Sequence, residues 1–200
     1  LELRCGEYVE ERTLSTCVAR VGRTYRMAEE GMVRRAERRW RGPADLSATF
    51  RVDREGELLV LRVAVTDDVV KCTGPVEKPF DYDSVQVYFD PRPDAERKNP
   101  FLAGVYGLVL VPGGPGGEPA RVHPIGPVAA TAVSRGMALP SVEGVELRSR
   151  LRRDGYDLEL RLPLARLGCD PRPGDKLGFD LIVNDNDGTF RRSLQMVWTG

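Results

Sequence analysis

Histidine is nearly missing from this chain, and His123 is its single instance. Zinc sites and imidazole-based catalysis both depend on that residue type, so the chemistry open to the chain narrows at once. No Cys-x-x-Cys pair occurs among the four cysteines Cys5, Cys17, Cys72 and Cys169, which removes the usual zinc-ribbon spacing. Four cysteines allow three pairings, and spacing alone does not choose between them. Lysine is scarce as well: Lys71, Lys78, Lys98 and Lys176 are the only ones among 30 basic residues. Acidic residues also number 30, so the formal net charge is zero and no long-range field draws in nucleic acid. No apolar run approaches the roughly 20 residues that a membrane span needs. No glycine-rich phosphate loop is present either: residues 112–119 read Pro-Gly-Gly-Pro-Gly-Gly-Glu-Pro, without the lysine or following helix of a nucleotide cradle. The stretch reads as a loop. The chain opens at Leu1 without a secretory signal pattern, which reads as a mature product or a piece of something longer.

What the sequence does contain is alternation. Leu59, Leu61, Val63 and Val65 alternate with Val60, Arg62, Ala64 and Thr66. Val85, Val87 and Phe89 alternate with Gln86, Tyr88 and Asp90. The same pattern runs over Tyr156 to Leu162 and over Leu177 to Val183. A period of two sends one set to a core and the other outward. Arg153-Asp154-Gly155 between two such runs marks a hairpin. Pro163 to Leu167 reads as a helical turn stopped by Gly168. These features predict an all-β, antiparallel β-sandwich of jelly-roll or immunoglobulin-like form, with at most short helical turns. With 200 residues a single domain is expected, its core over 40–198 and its less regular segment over 1–39. Met27 to Trp40 is either helical or an irregular strand.

Candidate chemistry lies in carboxylate pairs and aromatics. No catalytic residue is assigned: Ser134 lacks the first glycine of a nucleophile elbow, and His123 sits among prolines. Asp67 with Asp68, Asp81 with Asp83, and Asp185 with Asp187 fall at predicted strand ends. Turn chemistry accounts for such pairs, and calcium ligation is the functional alternative. Asn184-Asp185-Asn186-Asp187-Gly188 offers hard oxygens on a tight loop. Asp67, Asp68, Asp185 and Asp187 are the candidate metal ligands, with no zinc and no nucleotide expected. Glycosidase action would rest on these pairs alone and ranks last. Phe80 and Tyr82, in Lys78-Pro79-Phe80-Asp81-Tyr82-Asp83, can stack on sugar rings while neighbouring polar groups read hydroxyls. Trp198 is either a core residue or a third platform. Arg34, Arg35, Arg38, Arg39 and Arg41 read as a solvated face rather than a phosphate site.

The order of blocks resembles a known family. Trp40-Arg41-Gly42-Pro43-Ala44-Asp45-Leu46-Ser47-Ala48-Thr49-Phe50 leads into Leu59 to Asp68. Pro79 to Asp90 follows with its Asp83-Ser84-Val85 core, then Gly155-Tyr156-Asp157-Leu158-Glu159 with Pro163, then Gly178-Phe179-Asp180 with Val183-Asn184-Asp185. Over about 40–198 this is similar to family-nine carbohydrate-binding modules and the wider DOMON-like superfamily. The resemblance implies a β-sandwich, often with calcium, appended to polysaccharide-active bacterial enzymes and itself non-catalytic. It implies a secreted, extracellular or periplasmic location. In the family a sugar lies between two tryptophans; Phe80 takes the first position, and Gln86 the usual acidic one. A second tryptophan and a closing strand would fall beyond Gly200. The implied carbohydrate-binding residues are Phe80, Tyr82, Asp83, Gln86, Asn184 and Trp198, with Phe80 and Tyr82 on one open face. Two other functions remain: an interaction domain packing on a neighbouring domain, and a haem-linked domain using His123 with Met27, Met32, Met137 or Met196. No nucleic-acid partner and no membrane insertion are expected.

Overall fold

The computed structural model describes residues 18–36, 38–74, 78–91, 105–125, 141–188 and 191–198. Twelve strands form two sheets. They are β1 (Val18–Arg20), β2 (Thr24–Met27), β3 (Val33–Ala36), β4 (Leu46–Glu55), β5 (Leu58–Asp67), β6 (Ser84–Asp90), β7 (Tyr106–Val111), β8 (Arg121–Ile125), β9 (Glu146–Arg152), β10 (Gly155–Pro163), β11 (Lys176–Asp185) and β12 (Leu194–Val197). A seven-stranded sheet runs β3-β12-β11-β6-β7-β8, with β1 on the first half of β11, and a five-stranded sheet runs β2-β4-β5-β10-β9. Every pairing is antiparallel. The sandwich anticipated from the alternation is therefore what the chain forms. Among the described residues no helix is long and apolar enough to cross a membrane.

The period-two sets do what sterics require of them. Leu59, Leu61, Val63 and Val65 of β5, Val85, Val87 and Phe89 of β6, and Leu177, Phe179, Leu181 and Val183 of β11 are all buried between the sheets. Each such side chain contributes roughly 1.5–3 kcal/mol by leaving water. An aromatic group knits the sheets together. Phe50 lies 5.1 Å from Tyr25, 5.2 Å from Trp198 and 5.2 Å from Phe179, ring centre to ring centre.

Three local expectations gain definition. Met27 to Trp40 takes the strand alternative: β2 ends at Met27, a 3-10 turn spans Glu30–Met32, and β3 follows. Strands β1 to β3 thereby enter both sheets, so 18–36 is integral to the sandwich and not an appendage. The hairpin between β9 and β10 turns on Arg153-Asp154, with Gly155 as the first residue of β10. Gly155 has φ +133°, and a Cβ there would sit 2.0 Å from the Val65 carbonyl oxygen. Close approach to β5, added to the backbone angle, demands glycine. The short helix α1 (Leu164–Leu167) ends at Gly168, whose N–H donates to the Leu164 carbonyl.

Candidate functional site

The ends of β5, β6 and β11 meet at one end of the sandwich. Asp67 closes β5, Asp83 precedes β6 and Asp185 closes β11. Asp67 pairs with Leu46 and Asp185 with Leu194, both core positions, so both carboxylates turn inward. Asp67 comes from one sheet, and Asp83 and Asp185 from the other. The three are fully buried and bring carboxylate oxygens within 4.8 Å of one another. The Asp83 Oδ1 accepts from the Asn186 N–H at 2.6 Å, and its Oδ2 accepts from the Lys71 N–H. The Asp67 Oδ1 accepts from the Val69 N–H at 2.9 Å. Asp67 Oδ2 and Asp185 Oδ1 are buried without a partner. Tyr156, on the next inward position from β10, is completely buried, and its hydroxyl also lacks a partner.

Electrostatics follow from that packing. Burial pushes Asp67 up to about 7, helped by the charge on Asp187. Burial pushes Asp185 up to about 8, helped by Asp67. Asp83 is raised well above the usual carboxylate range by burial and then by Asp67. The Tyr156 phenol is raised well above its usual range by burial, then by the charges on Asp83, Asp67 and Asp185. Three carboxylates in low dielectric cannot all stay ionised unless a cation joins them.

A second acidic group lies just outside. Asp45, Asp68 and Asp187 also bring their oxygens within 4.8 Å of one another. Here the chain supplies its own cations. Arg38 reaches Asp45 at 2.7 Å, Asp185 at 2.5 Å and Asp187 at 2.7 Å. Arg41 bridges Asp45 and Asp68, both at 2.7 Å. Burial opposes the charge on Asp45, yet hydrogen bonds from Arg38 and Arg41 hold it below the usual range.

The alternate residues of the same strands carry a polar row on the opposite side of the seven-stranded sheet, and the row is buried. Ser84 lies opposite Asn184, which lies opposite Gln195. Asn184 Oδ1 accepts from Gln86 Nε2 at 3.1 Å and from Gln195 Nε2 at 2.9 Å, while its Nδ2 donates to Ser84 Oγ at 3.0 Å. Tyr88 donates to Gln86 Oε1 at 3.0 Å, and its ring lies against Gly107.

Several sequence expectations need correction against this geometry. Trp198 is a core residue, packed on Tyr25, Phe50 and Phe179, because β12 turns it between the sheets. Tyr82 is only 4 % exposed, its ring occupying the space where Gly74 lacks a side chain, so Phe80 and Tyr82 do not share an open face. Phe80 is half-buried against the small cluster of Cys72, Val109 and Val111. Asp83 belongs with the carboxylates rather than with hydroxyl readers. Asp67 and Asp185 do meet, but Asp68 and Asp187 fall in the outer group with Asp45. The 184–188 segment is therefore not one ligand loop: its Asn184, Asp185 and Asp187 each serve a different cluster. Arg38 and Arg41 neutralise carboxylates instead of forming a solvated face. Gln86 and Asn184 do stand together.

Residues missed from sequence include Tyr88, Gln195 and Tyr156. Tyr88 was legible, since it shares Gln86's parity on β6. His123 pairs with Val109 and so projects to the outer side, whereas Met27 and Met196 are buried between the sheets and Met32 packs against that core. These methionines cannot join His123 on a haem iron; Met137 lies outside the described residues. Cys72 and Cys169 are free thiols, and Cys5 and Cys17 lie outside the described residues.

The molecule is an antiparallel two-sheet β-sandwich with a buried carboxylate trio at one end. A family model described as carbohydrate family 9 binding domain-like matches residues 21–109 and 122–200, and the chain belongs to that family. A family 9 carbohydrate binding module from Caldicellulosiruptor kristjanssonii, solved with cellotriose, superposes with a TM-score of 0.57 at 18 % identity, covering 85 % of this chain and 72 % of that one. A family 9 module from the same organism, solved with glucose, gives a TM-score of 0.54 at 17 % identity, covering 84 % of this chain and 76 % of that one. No curated protein matches the chain.

Proposed function

We propose that this domain is a non-catalytic carbohydrate-binding module, serving as an accessory part of a larger secreted or periplasmic bacterial protein that acts on polysaccharide. The supporting observation is membership of this family over most of the chain, in which Ser84, Gln86, Asn184 and Gln195 form a buried, mutually hydrogen-bonded row on one sheet. Asn184 spends its oxygen on Gln86 and Gln195 and a donor on Ser84, so the row stiffens the sheet, and a rigid scaffold lowers the entropy cost of binding. Phe80 is the aromatic left nearest to a stacking role. Calorimetric titration with a panel of mono- and oligosaccharides including glucose and cellotriose tests this reading. Heat that saturates with one sugar class, and that weakens at least tenfold in Phe80→Ala, supports it; no heat at millimolar sugar removes it.

The same reading includes a structural calcium ion at Asp67, Asp83 and Asp185. The donor set fits: all ligands are hard oxygens, two of them unpartnered in a buried space. Because the ligands come from both sheets, such an ion would staple the sandwich at this end. With Tyr82 and Trp198 buried inside the domain and not on an open face, the second reading is an interaction domain that packs on a neighbouring domain. A truncation series in the parent protein that leaves the neighbour equally soluble and active argues against it.

A further inference from the structure

The two carboxylate groups differ in one respect that decides how many ions the domain can take. In the outer group every carboxylate already has an arginine partner. Asp45 Oδ1 accepts from Arg38 Nη1 and from Arg41 Nε and Nη2, and Asp45 Oδ2 accepts from Arg38 Nη1 and the Arg41 N–H. Asp68 Oδ2 accepts from Arg41 Nη2. Asp187 Oδ2 faces the Arg38 Nε in an ion pair. In the inner group no side-chain cation among the described residues reaches Asp67 or Asp83, and Arg38 takes only the Oδ2 of Asp185, leaving its Oδ1 without a partner. Asp67 Oδ2 is also buried and unpartnered there.

We propose that Arg38 and Arg41 are built-in replacements for a second metal ion, so that the domain binds one divalent cation, at the inner trio, and that removing Arg38 opens a second site at Asp45, Asp68 and Asp187. The inference rests on the calcium reading above. Its physical basis is charge balance among packed groups: a carboxylate cluster out of water must be neutralised by protons, guanidinium groups or metal. A guanidinium presents five donors in a plane and can serve several carboxylates at once. Arg38 does so across the end of β4 and the end of β11, the span a bridging ion would cover.

The test is equilibrium dialysis of the whole chain against calcium, with bound metal read by atomic emission, for the wild type and Arg38→Met. The expected ratios are one ion per chain in the wild type and two in R38M, the second ion weaker. Because calcium takes over the lost positive charge, R38M should fold in millimolar calcium and be less stable than wild type in chelator. A wild-type ratio of zero overturns the calcium reading itself. A wild-type ratio of two overturns the inference while leaving that reading intact. A folded R38M that stays at one ion, or an R38M that does not fold even in calcium, overturns it as well.

Discussion

Replacing Trp198 by alanine separates a core role from a sugar platform. The indole is 3 % exposed and packs edge-on to Tyr25 at 5.0 Å and to Phe50 at 5.2 Å. A buried tryptophan removes up to about 200 Å² from water, and at about 25 cal/mol per Å² that amounts to about 5 kcal/mol. Partial compaction of the unfolded chain lowers the figure, so a loss of about 3–5 kcal/mol is expected, as for other large core truncations. Against a total stability of roughly 5–15 kcal/mol this is a large fraction. It corresponds to a fall in melting temperature of about 10–15 °C for a chain of this size. Urea unfolding followed by far-ultraviolet circular dichroism measures it, with Trp198→Phe expected to recover about half. The reasoning is refuted if W198A loses less than about 1 kcal/mol while sugar affinity disappears, because that pattern belongs to an exposed platform.

Further outcomes follow from other positions. Gly155→Ala should cost upward of about 2 kcal/mol in chemical denaturation, since its Cβ would meet the Val65 carbonyl at 2.0 Å. Gly56→Ala, at φ +60° with open space around it, should cost about 1 kcal/mol, and equal losses at both sites would contradict the close-approach argument. In chelator, the raised values of Asp67, about 7, and Asp185, about 8, mean that the folded state holds protons the unfolded chain releases. Stability from this pair is therefore full below the unfolded carboxylate value near ~4 and declines as pH rises toward 8. Asp45 has the opposite sign, its contribution being lost as pH falls below ~4. Metal-free melting temperatures should thus peak in mildly acid buffer, and a metal-free maximum above pH 8 would contradict the trio's burial. Asn184→Ala leaves the amides of Gln86 and Gln195 without their shared acceptor, which should cost on the order of 2–4 kcal/mol in urea unfolding.

The sandwich was legible in the alternation itself. Leu59 to Val65 and Val85 to Phe89 carry their inward and outward sets in plain order, and a strand's parity assigns each residue a face without reference to the rest of the fold. Parity also places Gln86 with Tyr88. The helical turn before Gly168 was readable because its signal is local, and so was the family relationship.

The site was only half legible, because partners across the fold leave no mark on the separate segments that supply them. Asp83 and Asp185 are about a hundred positions apart, and Asp67 belongs to the other sheet. Spacing alone grouped Asp185 with Asp187 and Asp67 with Asp68, yet Asp68 and Asp187 lie past the ends of β5 and β11, where the chain leaves the sheets, and the fold splits each pair between clusters. Nothing local in Trp198 or Tyr82 says which side of a sheet will cover them, and nothing in an arginine-rich run says that Arg38 will find three carboxylates. Alternation of side chains along the backbone is a property of the chain and is written in its order; which of those side chains end up sharing a space depends on register and on how two sheets stack, and that was decided only by the folded molecule.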